Sequence, residues 1–245
     1  MPTNILLKTN LLNVKANVYL LSFLIVVGLG TLLIGYDASV IFGAERGLQA
    51  FFMEARDFQY TDGWHQFTMW SVWIGCAIGA ILSWALVDKV SRKKLFATAG
   101  VMLFVSALGC MHPELLFFNY GMPSKGLLMM FNSYRIIGGV GGGIVLMTCL
   151  VYISDLSTLR LRRLLVGIIP LAVIVGVVLT GVVNSYILSN HIQPLVEEMG
   201  RGIAALHPAA QWTVTIGWRY MFGAEAIPAE LFIMLVCFFP EKVIR

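Results

Sequence analysis

The stretch VYLLSFLIVVGLGTLLIGYDASVIFG, residues 18–43, holds a single charged side chain, Asp37. An apolar run of about 20 residues or more is long enough, as a helix, to cross the hydrocarbon core of a bilayer. Five further runs repeat the pattern, at about 64–87, 94–112, 127–153, 164–188 and 218–239. The second begins with less apolar residues and the third is short. Composition agrees, with 58% hydrophobic and 12% charged residues, about half the usual charged share of a soluble domain. Mean hydropathy is +0.82. The expectation is an all-α membrane protein whose 245 residues form a single six-helix bundle, with an external loop at about 189–217.

The joints between spans carry Pro113, Pro123, Pro208 and most of the charge. Lys8, Lys15, Lys89, Arg92, Lys93, Lys94, Arg160, Arg162, Arg163, Lys242 and Arg245 fall on one set of joints and termini. The opposite set has only Arg46, Arg56, Lys125, Arg201 and Arg219. The positive-inside rule then puts both termini in the cytoplasm, and a cell (inner) membrane suits the chain. The net charge of +4 is thereby explained by topology, with no nucleic-acid partner. No cleavable leader is expected, because residues 1–18 are polar and the apolar run after them is too long for a signal peptide. Cys76, Cys110, Cys149 and Cys237 all lie in apolar runs without metal-ligand spacing and read as small core residues.

Gly75 and Gly79 in the second span, and Gly138, Gly139, Gly141, Gly142 and Gly143 in the fourth, suit close helix packing in lipid. A dinucleotide fingerprint fails there, since neither a preceding strand nor an acidic ribose reader is present. His191, Glu197, Glu198, Arg201 and His207 are too loosely spaced for a metal site and fit a short external amphipathic helix. The sequence calls for neither metal nor cofactor. No buried Ser–His or Cys–His pairing suggests an enzyme.

Charges inside a bilayer are expensive and usually functional. Asp37, Arg135, Glu225 and Glu230 are such charges. Counted from the expected outer ends of their helices, Asp37, Arg135 and Glu225 lie at comparable depth in the outer half of the membrane. A guanidinium favours an ionised carboxylate, whereas burial and a second carboxylate favour the protonated form. Two readings fit, a proton switch or an ion cluster that fixes helix positions. Glu230 has no evident partner and lies on a different helix face from Glu225. A second group, Asp88, Lys89, Arg92, Lys93, Asp155 and Arg162, gathers at the cytoplasmic ends. It reads either as plain positive-inside topology or as an ion-pair latch for a moving bundle.

Several of these stretches occur in an order that resembles the sugar porter family of the major facilitator superfamily. The likeness runs from about residue 30 to 241 through GYDASVIFGA (35–44), VDKVSRKK (87–94), YRIIGGVGGG (134–143), VYISDLSTLRLRR (151–163), WRYMFGAEAIPAELF (218–232) and FFPE (238–241). It is strongest to the N-terminal half of bacterial D-xylose–proton symporters. The resemblance implies a six-transmembrane-helix bundle like the N-terminal half of a major facilitator transporter, whose family has two such halves and alternating access between them. It also implies that Asp37, Arg135 and Glu225 couple protons to transport, with a pentose or hexose as substrate.

Departures from the family pattern are equally specific. The second half has no counterpart in these 245 residues. Pro170 and Val177 stand where the resemblance places sugar-reading glutamines, and no glutamine occurs in 164–188. Trp84 and Ser91 occupy the glycine positions of the signature loop, Leu150 replaces a proline and Arg163 a glycine. Two functions therefore stand side by side. One is a half-length sugar porter that pairs with a second half or another copy. The other is a non-transporting membrane sensor, partner-binding subunit or degenerate remnant.

Overall fold

The structure is a computed structural model. It describes the backbone of residues 3–115, 121–156, 159–199 and 216–238, and within them the side chains of 21–115, 121–154, 162, 163, 165–189 and 216–238. Its helices are α1 (Thr3–Met53), α2 (Asp62–Leu86), α3 (Arg92–Met111), α4 (Lys125–Leu156), α5 (Leu159–Met199), α6 (Trp218–Gly223) and α7 (Ala226–Phe238). No strand occurs among the described residues. Six segments are long and apolar enough to span a membrane: Leu21–Met53, Asp62–Leu86, Arg92–Met111, Lys125–Ser154, Leu165–Ser189 and Trp218–Phe238. The fold is an all-α membrane bundle.

Two elements outrun the apolar pattern. The first helix continues to Met53 rather than stopping near residue 43. Its extension holds together because Ala44, Leu48, Phe51 and Phe52 recur at helical spacing and are buried. They join Leu127, Leu128, Phe131, Trp218, Met221 and Phe222 in one cluster. Asp37 is therefore 16 residues, about 24 Å, from the helix end, so a depth reckoned from residue 43 is too shallow along its own helix. The second case is α5, which continues to Met199 and makes the start of the expected 189–217 loop helical. The side chains of His191, Glu197 and Glu198, and all of Arg201 and His207, lie outside the described residues.

Helix α4 is the hub, packed against α2, α3 and α1, while α5 lies along α1 and α7 along α3. The α2–α4 contact is backbone on backbone. A Cβ on Gly75 or Gly79 would collide with the carbonyl of Ile136 or Val140, and one on Gly139 or Gly143 with that of Val72 or Cys76. Four of the glycines marked by the sequence thus allow the close approach of α2 and α4 expected of small residues in lipid. The α1–α5 crossing uses the same device at Gly35 and Gly176, which face the backbone of Val173 and Leu32.

The sixth span is broken between α6 and α7, at Ala224 and Glu225. Pro228 explains the break, because it has no N–H for the Ala224 carbonyl and its ring crowds that oxygen. The buried apolar residues form two clusters stacked along the helix axes, one with Phe23, Leu33, Val140 and Phe232, the other with Tyr36, Val40, Phe131 and Phe222. Asp37, Arg135 and Glu225 each fall, along their own helices, between members of the two clusters.

Candidate functional site

Three helices bring charge to that junction. Asp37 comes from the middle of the Leu21–Met53 span of α1, Arg135 from the first half of α4 and Glu225 from the break in the sixth span. All three are buried, Arg135 completely. Arg135 Nη1 donates to Asp37 Oδ1 as an ion pair, and to the Asp37 carbonyl oxygen at 2.9 Å. Gly138, one turn below Arg135, makes room for the carboxylate: a Cβ there would lie 3.0 Å from Asp37 Oδ2 and closer still to Ser106. The guanidinium also sits 5.2 Å from the centroid of the Phe222 ring.

This pairing leaves bonding capacity unused. Arg135 Nε and Nη2, Glu225 Oε1 and both polar atoms of Asn132 are buried with no hydrogen-bond partner in the protein. Glu225 lies within electrostatic reach of both Asp37 and Arg135. Chemically, the arrangement is one cation served by two acids, with only one of them bonded to it. A proton added to Asp37 would weaken its hold on Arg135 and leave Glu225 as the alternative counter-ion.

A second buried arginine, not anticipated from sequence, lies farther from the middle of the bundle, at the start of the sixth span. Arg219 Nη1 donates to Glu114 Oε2 at 2.6 Å and Arg219 Nη2 to Glu114 Oε1 at 2.5 Å, with both side chains almost fully buried. The Gly121 N–H also donates to Glu114 Oε1 at 3.3 Å. The guanidinium sits 4.6 Å from the Trp218 ring centroid and 5.4 Å from that of Phe51. Burial alone would raise the Glu114 pKa, but the bonds and charge of Arg219 outweigh it and hold the carboxyl below its ordinary value. Both residues sit at the ends of apolar runs, where charge is ordinary. The available signal was an arginine set between two aromatic residues, WRY at 218–220.

The second charged group marked by the sequence is less unified. Arg92 sits 5.0 Å from the Tyr152 ring centroid on α4, and Lys93 Nζ donates to the Cys237 carbonyl at the end of α7 at 2.8 Å. Asp88, Lys89 and Arg162 are exposed, and among the described residues Asp88 and Lys89 make no ion pair. The side chain of Asp155 lies outside the described residues. No group of three metal-binding side chains occurs among the described residues.

Comparison with known proteins supplies the setting for this geometry. Residues 23–243 match the family model described as "Sugar (and other) transporter". The D-xylose–proton symporter of Escherichia coli K12 is 33% identical over 232 residues, covering 91% of this chain and 44% of that protein. The arabinose–proton symporter of Bacillus subtilis 168 is 26% identical, covering 88% of this chain and 39% of that protein. The solved structure of the E. coli xylose transporter XylE, partially occluded and inward open, superposes with a TM-score of 0.74 at 33% identity, covering 91% of this chain and 50% of that one. The chain thus spans half the length of these relatives or less. Across that span it belongs to the sugar (and other) transporter family.

Proposed function

We propose that the chain is one half of a proton-coupled sugar porter, in which Asp37, Arg135 and Glu225 couple proton movement to transport. The observation that carries this reading is the buried Asp37–Arg135 pair with Glu225 unbonded beside it. When Asp37 is ionised it holds Arg135 and ties α1 to α4. Once it is protonated, Arg135 turns its charge toward Glu225 at the break in the sixth span. Proton occupancy thereby selects which helices are tied together. Both termini face the cytoplasm, and the bundle works with a second six-helix half or another copy, since one bundle cannot enclose a two-sided pathway. The names of its relatives point to a pentose or hexose as substrate.

The test is uptake of labelled xylose and glucose into vesicles that contain only this chain, with and without an inward proton gradient. Gradient-dependent uptake that is lost in Asp37→Asn supports the reading. A folded chain with no uptake at any pH would sink autonomous transport.

A second reading is a membrane protein that no longer transports. It rests on Pro170 and Val177, exposed apolar residues at the positions where the resemblance calls for glutamines. A sugar hydroxyl that meets no partner loses about 1–3 kcal/mol. Stable co-purification with another membrane protein, together with no thermal shift on adding sugar, favours this alternative.

A further inference from the structure

Glu230 has no part in the site described above. It lies on α7, 12 residues from Trp218 and eight from Phe238, or about 18 Å and 12 Å from the ends of the span. Its side chain is exposed on the outside of the bundle, and no hydrogen bond or ion pair to another described residue holds it. Around it run Ile227, Leu231, Met234 and Phe238, all exposed. Their spacing of four, three and four residues is that of a helix-packing seam. An apolar seam alone is indifferent between lipid and protein, because lipid tails are as apolar as leucine. A carboxyl group at mid-span is not indifferent, since hydrocarbon offers it nothing to bond.

We propose that α7 is a homodimer interface, in which a second copy of this chain packs along the Ile227–Phe238 seam and the two Glu230 carboxyl groups hydrogen-bond to each other. A second copy is the occupant that fits both features. A two-fold axis brings one seam against its own image, so the same spacing serves both partners. It also sets carboxyl against carboxyl, and a protonated carboxyl both donates and accepts, so each can satisfy the other without a basic residue. The other side of α7 is occupied by α3. This contact is independent of the transport reading and uses none of the residues proposed to couple protons.

The chain carries its own reporter. Cys237 follows Glu230 by seven residues, two helical turns, and is exposed on the same face. Cys110 and Cys149 are buried, and Cys76 is half-buried on α2. The full-length chain in lipid vesicles is treated with copper phenanthroline and run on a non-reducing gel. The expected result is a disulfide-linked dimer that disappears in Cys237→Ser. Glu230→Leu should lower the yield at least fivefold, with circular dichroism showing that the helices persist. Glu230→Gln, whose amide also donates and accepts, should keep the dimer. A Glu230→Leu chain that cross-links as well as the parent overturns the proposal. So does a parent chain that is monomeric, or one that leaves the membrane attached only to a different protein.

Discussion

The two buried arginines invite comparison. Arg219 gives both terminal nitrogens to Glu114, with the Gly121 N–H on the same carboxylate and aromatic rings against the guanidinium. Arg135 gives one nitrogen to Asp37 and leaves Nε and Nη2 without partners in the protein, while Glu225 waits unbonded within electrostatic reach. Residue types and burial are nearly the same in the two places. The difference is saturation. A bidentate pair with a further N–H on the same carboxylate has one arrangement far below all others. An arginine that uses one of its nitrogens and lies between two acids has two arrangements of similar kind. The outer pair fastens α6 to the loop after α3, and the inner one ties α1 to α4 with bonding capacity to spare.

The largest predicted effect comes from unfastening the outer pair. Glu114→Gln removes the carboxylate charge that is bonded to buried Arg219, which should cost about 3–5 kcal/mol of stability, read by thermal unfolding in detergent. Its pH dependence has a definite sign. Glu114 titrates below the ordinary value of 4.5, so the folded state holds the proton less tightly than the unfolded one. The pair's contribution is then complete above that pH and is lost as pH falls through the lowered value. The gap between parent and Glu114→Gln should accordingly close in acid. A gap that stays constant down to about pH 3 would mean the carboxylate charge is not what stabilises this corner.

The inner cluster should yield less to any single change. In Asp37→Asn, Glu225 remains as counter-ion to Arg135, and in Glu225→Gln, Asp37 does. Each single variant should lose about 1 kcal/mol, and the double variant, which leaves the guanidinium with no counter-ion, about 3–5 kcal/mol. The two substitutions are then strongly non-additive. Should Asp37→Asn alone cost as much as Glu114→Gln, the two arginines would be equivalent and the contrast between them would fail.

How much of this was legible in the sequence follows from where charge is unusual. Asp37, Arg135 and Glu225 interrupt long apolar runs, so the cost of a charge in lipid is enough to single them out. Glu114 and Arg219 lie at the ends of such runs and look like ordinary loop charges, although they make the better-satisfied pair. The extension of α1 was hidden by its mixed composition, AERGLQAFFM at 44–53, whose helical register matters only once α6 and the start of α4 supply the other wall. Gly75 and Gly79 are four apart on one helix and signal close packing. Gly35 and Gly176 do the same work singly, one on each helix, and a lone glycine in an apolar run carries no such signal.

The smallest predicted effect concerns Asn132, and it decides whether the spare bonding capacity of the inner layer is idle. Asn132 lies one turn before Arg135 on α4, buried, with neither amide atom bonded to the protein. An amide that truly lacks partners should be replaceable by a side chain of similar branching at no loss, because the folded state gives up nothing when it goes. Asn132→Leu should then leave stability within about 1 kcal/mol of the parent, on the stabilising side. A loss of about 2 kcal/mol or more would show instead that the amide is solvated in the folded protein. In that event the free nitrogens of Arg135, one turn on, should be solvated with it, because water bound in such a place needs several polar partners and these are unbonded. The inner arginine would then differ from the outer one by being wet rather than by being underbonded. The proposed exchange of partners would then run through bound water, and a dry swing between two acids would be the wrong picture.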